Sequence, residues 1–131
     1  GVTLVSKEEL FEKSDFLSIH LVLSGRSRGL ISAENLAQMK NSAFLINTSR
    51  GPIVDEKALL KSLKEKEIKG AGIDVFSIEP LPIESELRKL DNVLLTPHTG
   101  YFTEESYEIF HQQMIENILS WHDGKPIRRL T

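Results

Sequence analysis

The sequence contains no cysteine, so disulfides and thiolate chemistry are excluded, and a disulfide-built secreted scaffold with them. Long apolar runs are also missing. None approaches the roughly 18 residues needed to cross a bilayer, and no basic region leading into an apolar one opens the sequence. A membrane partner is therefore not expected, and a cytoplasmic location is. Excess charge of one sign is absent too. With 16 basic and 19 acidic residues the net charge is −3, which gives no basic field to gather nucleic acid or anionic lipid. What is present is a chain of 131 residues with 40% hydrophobic content, long enough for one compact domain with a real core.

The apolar pattern predicts an α/β fold. Residues 2–5 read as a short strand, and Ser6 with Glu9 three positions on reads as a capping box opening a helix over Lys7–Lys13. Residues 15–23 are almost continuously apolar, as in a parallel strand covered on both faces. Ser32 caps a second helix reaching Met39, and residues 43–47 form the next strand. Asp55 caps a third helix that turns Leu59, Leu60 and Leu63 inward, with Lys57, Lys61, Lys64, Glu65 and Lys66 as its solvated face. Strands over 70–76 and 92–96 follow, separated by a proline-bearing irregular stretch. Thr103 opens a long terminal helix that stops at Gly124. Its Tyr107, Phe110, Met114, Ile118 and Trp121 recur at helical spacing and are expected in a core. The order βαβαβαβ(loop)βα predicts part of a doubly wound, Rossmann-type, mostly parallel sheet with flanking helices.

In such sheets chemistry lies beyond the carboxyl ends of the strands. Arg50 follows one strand, and its planar fork can hold a carboxylate by two parallel hydrogen bonds, with Gly51 allowing a sharp turn beside it. Asp74 interrupts the next strand, and a buried carboxylate needs a partner. Glu79 lies a few residues on. His98 follows the last strand, with Gly100 permitting close approach of a ligand backbone-side. Glu79 can accept from one ring nitrogen of His98, leaving the other to protonate a carbonyl oxygen. Singly, each is weak evidence, because a lone Arg-Gly or a lone His is most often structural. In order at successive strand ends, they describe a carbonyl-reducing site for an anionic substrate.

These residues also carry a resemblance. Asn47-Thr48-Ser49-Arg50-Gly51-Pro52-Ile53-Val54-Asp55-Glu56, Gly70-Ala71-Gly72-Ile73-Asp74-Val75-Phe76 with Glu79-Pro80, and Thr96-Pro97-His98-Thr99-Gly100 closely resemble the signature blocks of the D-isomer-specific 2-hydroxyacid dehydrogenases. The resemblance implies NAD or NADP as cofactor and a small 2-oxo or 2-hydroxy acid as substrate. It implies Arg50 as substrate clamp, His98 as general acid/base and Glu79 as its partner. It places Asp74 on the nicotinamide carboxamide, and Thr48 and Ser49 along the nicotinamide side. Arg50, His98 and Gly100 border the same cofactor, and further contact is implied near Leu21 and Val22, where Val22 replaces the proline usual in the family.

One element of that family is missing from these residues. No Gly-x-Gly-x-x-Gly follows any strand: Gly25 and Gly29, or Gly70 and Gly72, have neither the spacing nor the strand-to-helix context. The expectation is therefore the C-terminal part of a longer enzyme. Residues 1–102 would be the second half of its cofactor domain, and residues 103–131 a helix and tail returning to a substrate domain. The polypeptide alone is expected to be inactive and, with an exposed strand edge and apolar face, to form a homodimer. A second reading is a dinucleotide-sensing corepressor-like binding protein, because the same fold serves both functions.

Overall fold

The computed structural model describes residues 1–130. Helix α1 (Lys7–Lys13) starts where the Ser6 hydroxyl accepts the Glu9 N–H at 3.1 Å, which satisfies one of the orphan donors of the first turn. Glu9 does not return the bond to Ser6; its carboxylate pairs with Lys13 one turn on. Strand β1 (Phe16–Ile19), helix α2 (Ala33–Ala37) and strand β2 (Phe44–Asn47) follow. After a 3-10 turn at Gly51–Ile53, Asp55 Oδ1 accepts the N–H groups of Lys57 and Ala58 at 3.0 and 3.1 Å and opens helix α3 (Glu56–Lys64). Leu59 and Leu63 of α3 are buried, while Lys57, Lys61, Lys64, Glu65 and Lys66 are exposed. Strand β3 (Gly70–Ile73), a 3-10 turn at Glu86–Lys89, strand β4 (Val93–Leu95) and helix α4 (Glu104–His122) complete the order.

The strands form one sheet in the order β1-β2-β3-β4, every pair parallel. Leu17, Leu45 and Ala71 lie in one register row and Ile19, Asn47 and Ile73 in another; all are buried. The apolar members of these rows join Phe11 of α1, Leu36 of α2 and Leu59 and Leu63 of α3 in a single core. The alternate rows are open, with Phe16 71% and Leu94 70% exposed. A right-handed crossover puts its helix on a fixed side of the sheet. Because the strand order never reverses, successive helices stack on one face. The expectation that β1 is covered on both faces is thus not met within these residues. On the open face Phe16 and Phe44 stack on each other with ring centroids 5.3 Å apart.

Two other expectations change. Residues 2–5 form no strand, and Val2 and Leu4 are fully exposed. An extended segment needs a neighbouring strand for its N–H and C=O groups, and the sheet's own order begins at β1. The strand expected over 15–23 also ends early, at Ile19, opposite the point where β2 ends at Asn47.

The described residues fall into two compact units, residues 1–100 and 101–130. In the second unit Thr103 Oγ1 accepts the Ser106 N–H at 3.2 Å while Ser106 Oγ accepts the Thr103 N–H at 2.9 Å, a reciprocal cap on α4. The helix ends at Gly124 with φ +71°, where Gly124 N–H donates to the Trp121 carbonyl and Lys125 N–H to that of Ser120, the paired bonds of a Schellman stop. The stripe expected in a core is not buried: Tyr107, Phe110, Met114, Ile118 and Trp121 are all exposed, Trp121 at 73%. Helical spacing identifies a face, and only a neighbour can bury it. Among the described residues no helix is long and apolar enough to cross a membrane.

Candidate active site

Arg50 owes its place to Asn47. The Asn47 side chain, 2% exposed at the end of β2, donates from Nδ2 to the Arg50 carbonyl at 3.0 Å and accepts the Ser49 N–H on Oδ1 at 3.0 Å. Those bonds turn the chain out of the sheet and present an exposed guanidinium, whose Nη1 donates to the Ser49 carbonyl at 2.6 Å. The sequence places Asn47 at the strand end and at the head of the Arg50 block, without a role for its side chain. The signal was a buried amide at a strand end, which must find both an acceptor and a donor.

Gly51 is needed for a different reason from the sharp turn expected of it. A Cβ there would fall 2.1 Å from the Phe76 carbonyl carbon and 2.6 Å from the Ser77 nitrogen, because the chain leaving β3 passes directly over it. Backbone cannot swing aside as a side-chain tip can. Gly51→Ala is expected to cost about 3 kcal/mol, the upper end of ordinary overpacking, read as a fall in the denaturant midpoint. A midpoint equal to wild type would show that the two segments separate freely.

Asp74 is 3% exposed, and its carboxylate is satisfied within the chain. Oδ1 accepts from the Thr96 hydroxyl and from the Thr99 N–H at 2.8 Å, and Oδ2 accepts the Gly100 N–H at 2.8 Å. Burial disfavours its charge, but these hydrogen bonds, helped by His98, outweigh it and hold the carboxyl below its usual pKa. The space left by Gly100 serves this contact, since a Cβ would lie 2.9 Å from Asp74 Oδ2 and 3.5 Å from the Thr48 methyl. The partner that Asp74 needed is therefore the turn around His98.

Glu79 and His98 meet directly, with Oε2 2.8 Å from Nδ1. The other carboxylate oxygen accepts the Phe76 N–H at 2.9 Å, so Glu79 is fixed at both ends. The hydrogen bond from His98, then that from Phe76, and the charges of His98 and Arg50 depress its pKa against a smaller desolvation effect. At neutral pH Glu79 is thus an anion that holds a proton on Nδ1 of His98. Arg50, Glu79 and His98 share one electrostatic neighbourhood.

The remaining candidates line the same rim of strand ends. Ser49 Oγ donates to the Leu21 carbonyl at 2.8 Å, which ties the segment after β1 to the one after β2. Leu21 and Val22 are exposed apolar surface beside it, and Thr48 is exposed too. Next to the Glu79 and His98 pair is a cavity of about 620 Å³, walled by Phe76, Leu81, Leu95 and Pro97, a volume within the range of small-molecule sites. Arg88, also unforeseen, closes its edge and pins the Leu81 and Pro82 carbonyls at 2.8 and 3.0 Å.

Residues 1–100 match the family model described as D-isomer specific 2-hydroxyacid dehydrogenase, NAD binding domain. A glyoxylate reductase of Korarchaeum cryptofilum is 44% identical over 125 residues, which cover 95% of this chain and 38% of that protein. A structure described as a putative D-3-phosphoglycerate dehydrogenase from Ralstonia solanacearum superposes with a TM-score of 0.85 at 38% identity, over 93% of this chain and 36% of that one. A D-isomer specific 2-hydroxyacid dehydrogenase from Xanthobacter autotrophicus Py2 in complex with NADPH and MES gives 0.71 at 39% identity, over 92% and 50%. The chain therefore spans half or less of each of these proteins.

Proposed function

The chain belongs to the D-isomer specific 2-hydroxyacid dehydrogenase family through its NAD-binding domain, and from that premise we propose that it carries the reactive side of a site that interconverts small 2-oxo acids and D-2-hydroxy acids within a longer protein. The observation that carries this reading is the Glu79 and His98 contact, 2.8 Å between Oε2 and Nδ1, under the charge of Arg50. Arg50 binds the substrate carboxylate through its fork. Glu79 keeps a proton on Nδ1 and fixes the orientation of the ring. His98 gives its Nε2 proton to the carbonyl oxygen in reduction and takes it back in oxidation. When bound, the nicotinamide supplies or accepts the hydride at substrate C2.

Thr48, Ser49, Leu21 and Val22 would hold the cofactor on this rim. Support comes from their convergence: exposed hydroxyl and apolar groups lie side by side where the first two strands end. The pyrophosphate has no matching seat, since no glycine-rich loop occurs in these residues. Titration of the 131-residue polypeptide with NADH is accordingly expected to show no micromolar binding, and a micromolar Kd would contradict this.

The activity itself is tested on the full-length protein, with NADH and NADPH, against glyoxylate, hydroxypyruvate, pyruvate and phenylpyruvate. Turnover of at least one acid is expected. Dinucleotide binding without turnover of any of them would instead favour a dinucleotide-sensing binding protein.

A further inference from the structure

We infer that Asp74 is a positioning residue for proton transfer, acting through His98. This rests on the proposed function for its kinetic consequence, though its structural basis is independent of it. The donors that Asp74 accepts from lie on both sides of His98 in the chain: Thr96 before it, and Thr99 and Gly100 after it. His98 itself has φ +59°, a left-handed conformation that a residue with a side chain adopts at a cost of order 1–3 kcal/mol and keeps only when its surroundings over-determine it. A carboxylate at 3% exposure, gripping the chain on either side, supplies that constraint. Without it the turn relaxes, and the imidazole leaves the position in which Glu79 can hold its Nδ1.

The carboxylate grips the turn within the chain itself, whether or not a cofactor is bound. Its oxygens hold the Thr96, Thr99 and Gly100 donors. The negative charge is part of the device, because acceptance from two backbone N–H groups and a hydroxyl is acceptor-only chemistry. Asn at this position presents an NH2 group to one of those donors and breaks the grip on that side.

The test uses the full-length protein with Asp74→Asn, and Thr96→Val as a milder second variant that removes one donor and keeps the charge. Asp74→Asn is expected to lower kcat at saturating NADH by about 100-fold, the scale of an ångström of misplacement. Thr96→Val is expected to follow the same direction with a smaller loss. The readout that mere destabilisation would not move is coupling: Glu79→Gln should impair the wild type strongly and the Asp74→Asn protein hardly at all, because the pair it breaks is already apart. Additive losses, or weakened NADH binding at unchanged kcat, would overturn the inference. Should Asp74→Asn not fold, the same coupling is read in Thr96→Val. Should the wild type turn over none of the acids, the functional reading fails by itself, and amide exchange decides this one: the Thr99 and Gly100 amides should lose protection in the variants, and unchanged protection would refute it.

Discussion

Replacing His98 by alanine in the full-length protein is expected to lower kcat for 2-oxo acid reduction by about 10²–10⁴-fold, the usual worth of a positioned general acid, with little change in KM. On the proposed function the carbonyl oxygen would take a proton as the hydride arrives at C2, and without His98 that proton would have to come from water. On the same reading substrate binding would fall to Arg50, which the substitution leaves in place. Glu79→Gln separates the acid from its orienter. It retains the imidazole but removes the anion bonded to Nδ1 at 2.8 Å, so the ring loses the acceptor that orients it, and the gap in kcat between wild type and variant should persist through the neutral range and close only in acid. The sign follows from the depressed pKa of Glu79: in the wild type the carboxylate stays charged throughout the neutral range, so its contribution vanishes only in acid. A His98→Ala enzyme with normal kcat, read in steady-state assays, would remove the proton donor from the mechanism.

Arg50→Lys is expected to fail differently, with kcat/KM lower by roughly 30- to 700-fold and most of the loss in KM. The guanidinium can offer a carboxylate two parallel bonds, and an ammonium on a flexible stem keeps the charge but not the fork. Losing one charge-assisted bond and its geometry is worth about 2–4 kcal/mol, which converts to that range at 1.4 kcal/mol per factor of ten. A loss confined to kcat would instead mean that Arg50 acts only on the transition state. Asn47, which turns the chain at Arg50 by two 3.0 Å bonds, gives this argument its structural basis.

Local chemistry was legible in the sequence. Ser6, Asp55 and Thr103 cap helices because a short polar side chain reaches the open N–H groups of the turn after it. Gly124 stops α4 because only a left-handed residue closes that motif. The meeting of Glu79 and His98 could be anticipated because parallel strands deliver their following residues to one rim. What escaped the sequence depends on neighbours distant along the chain. Residues 2–5 have strand composition and no strand beside them. The apolar stripe of α4 has helical spacing, and its residues are exposed. Gly51 looks like a turn residue until the backbone at Phe76 and Ser77 is seen lying against it. Asp74 looked short of a partner, because its donors lie more than 20 positions further along the chain and reach it only when β4 pairs with β3.

The open face of the sheet belongs with these cases. An almost continuous apolar run predicts a strand covered on both sides, whereas Leu17 and Ile19 are covered and Phe16 is 71% exposed. Apolar content predicts what a strand can bury. The monotonic strand order decides which face receives helices.

The most direct test of the account is the product formed by the full-length protein from NADH and the best 2-oxo acid of the panel, resolved by chiral chromatography beside the His98→Ala variant. One equivalent of the D-2-hydroxy acid is expected for each NADH consumed, with formation nearly abolished in the variant. An L or racemic product, or formation of the D acid at wild-type rate without His98, would contradict it.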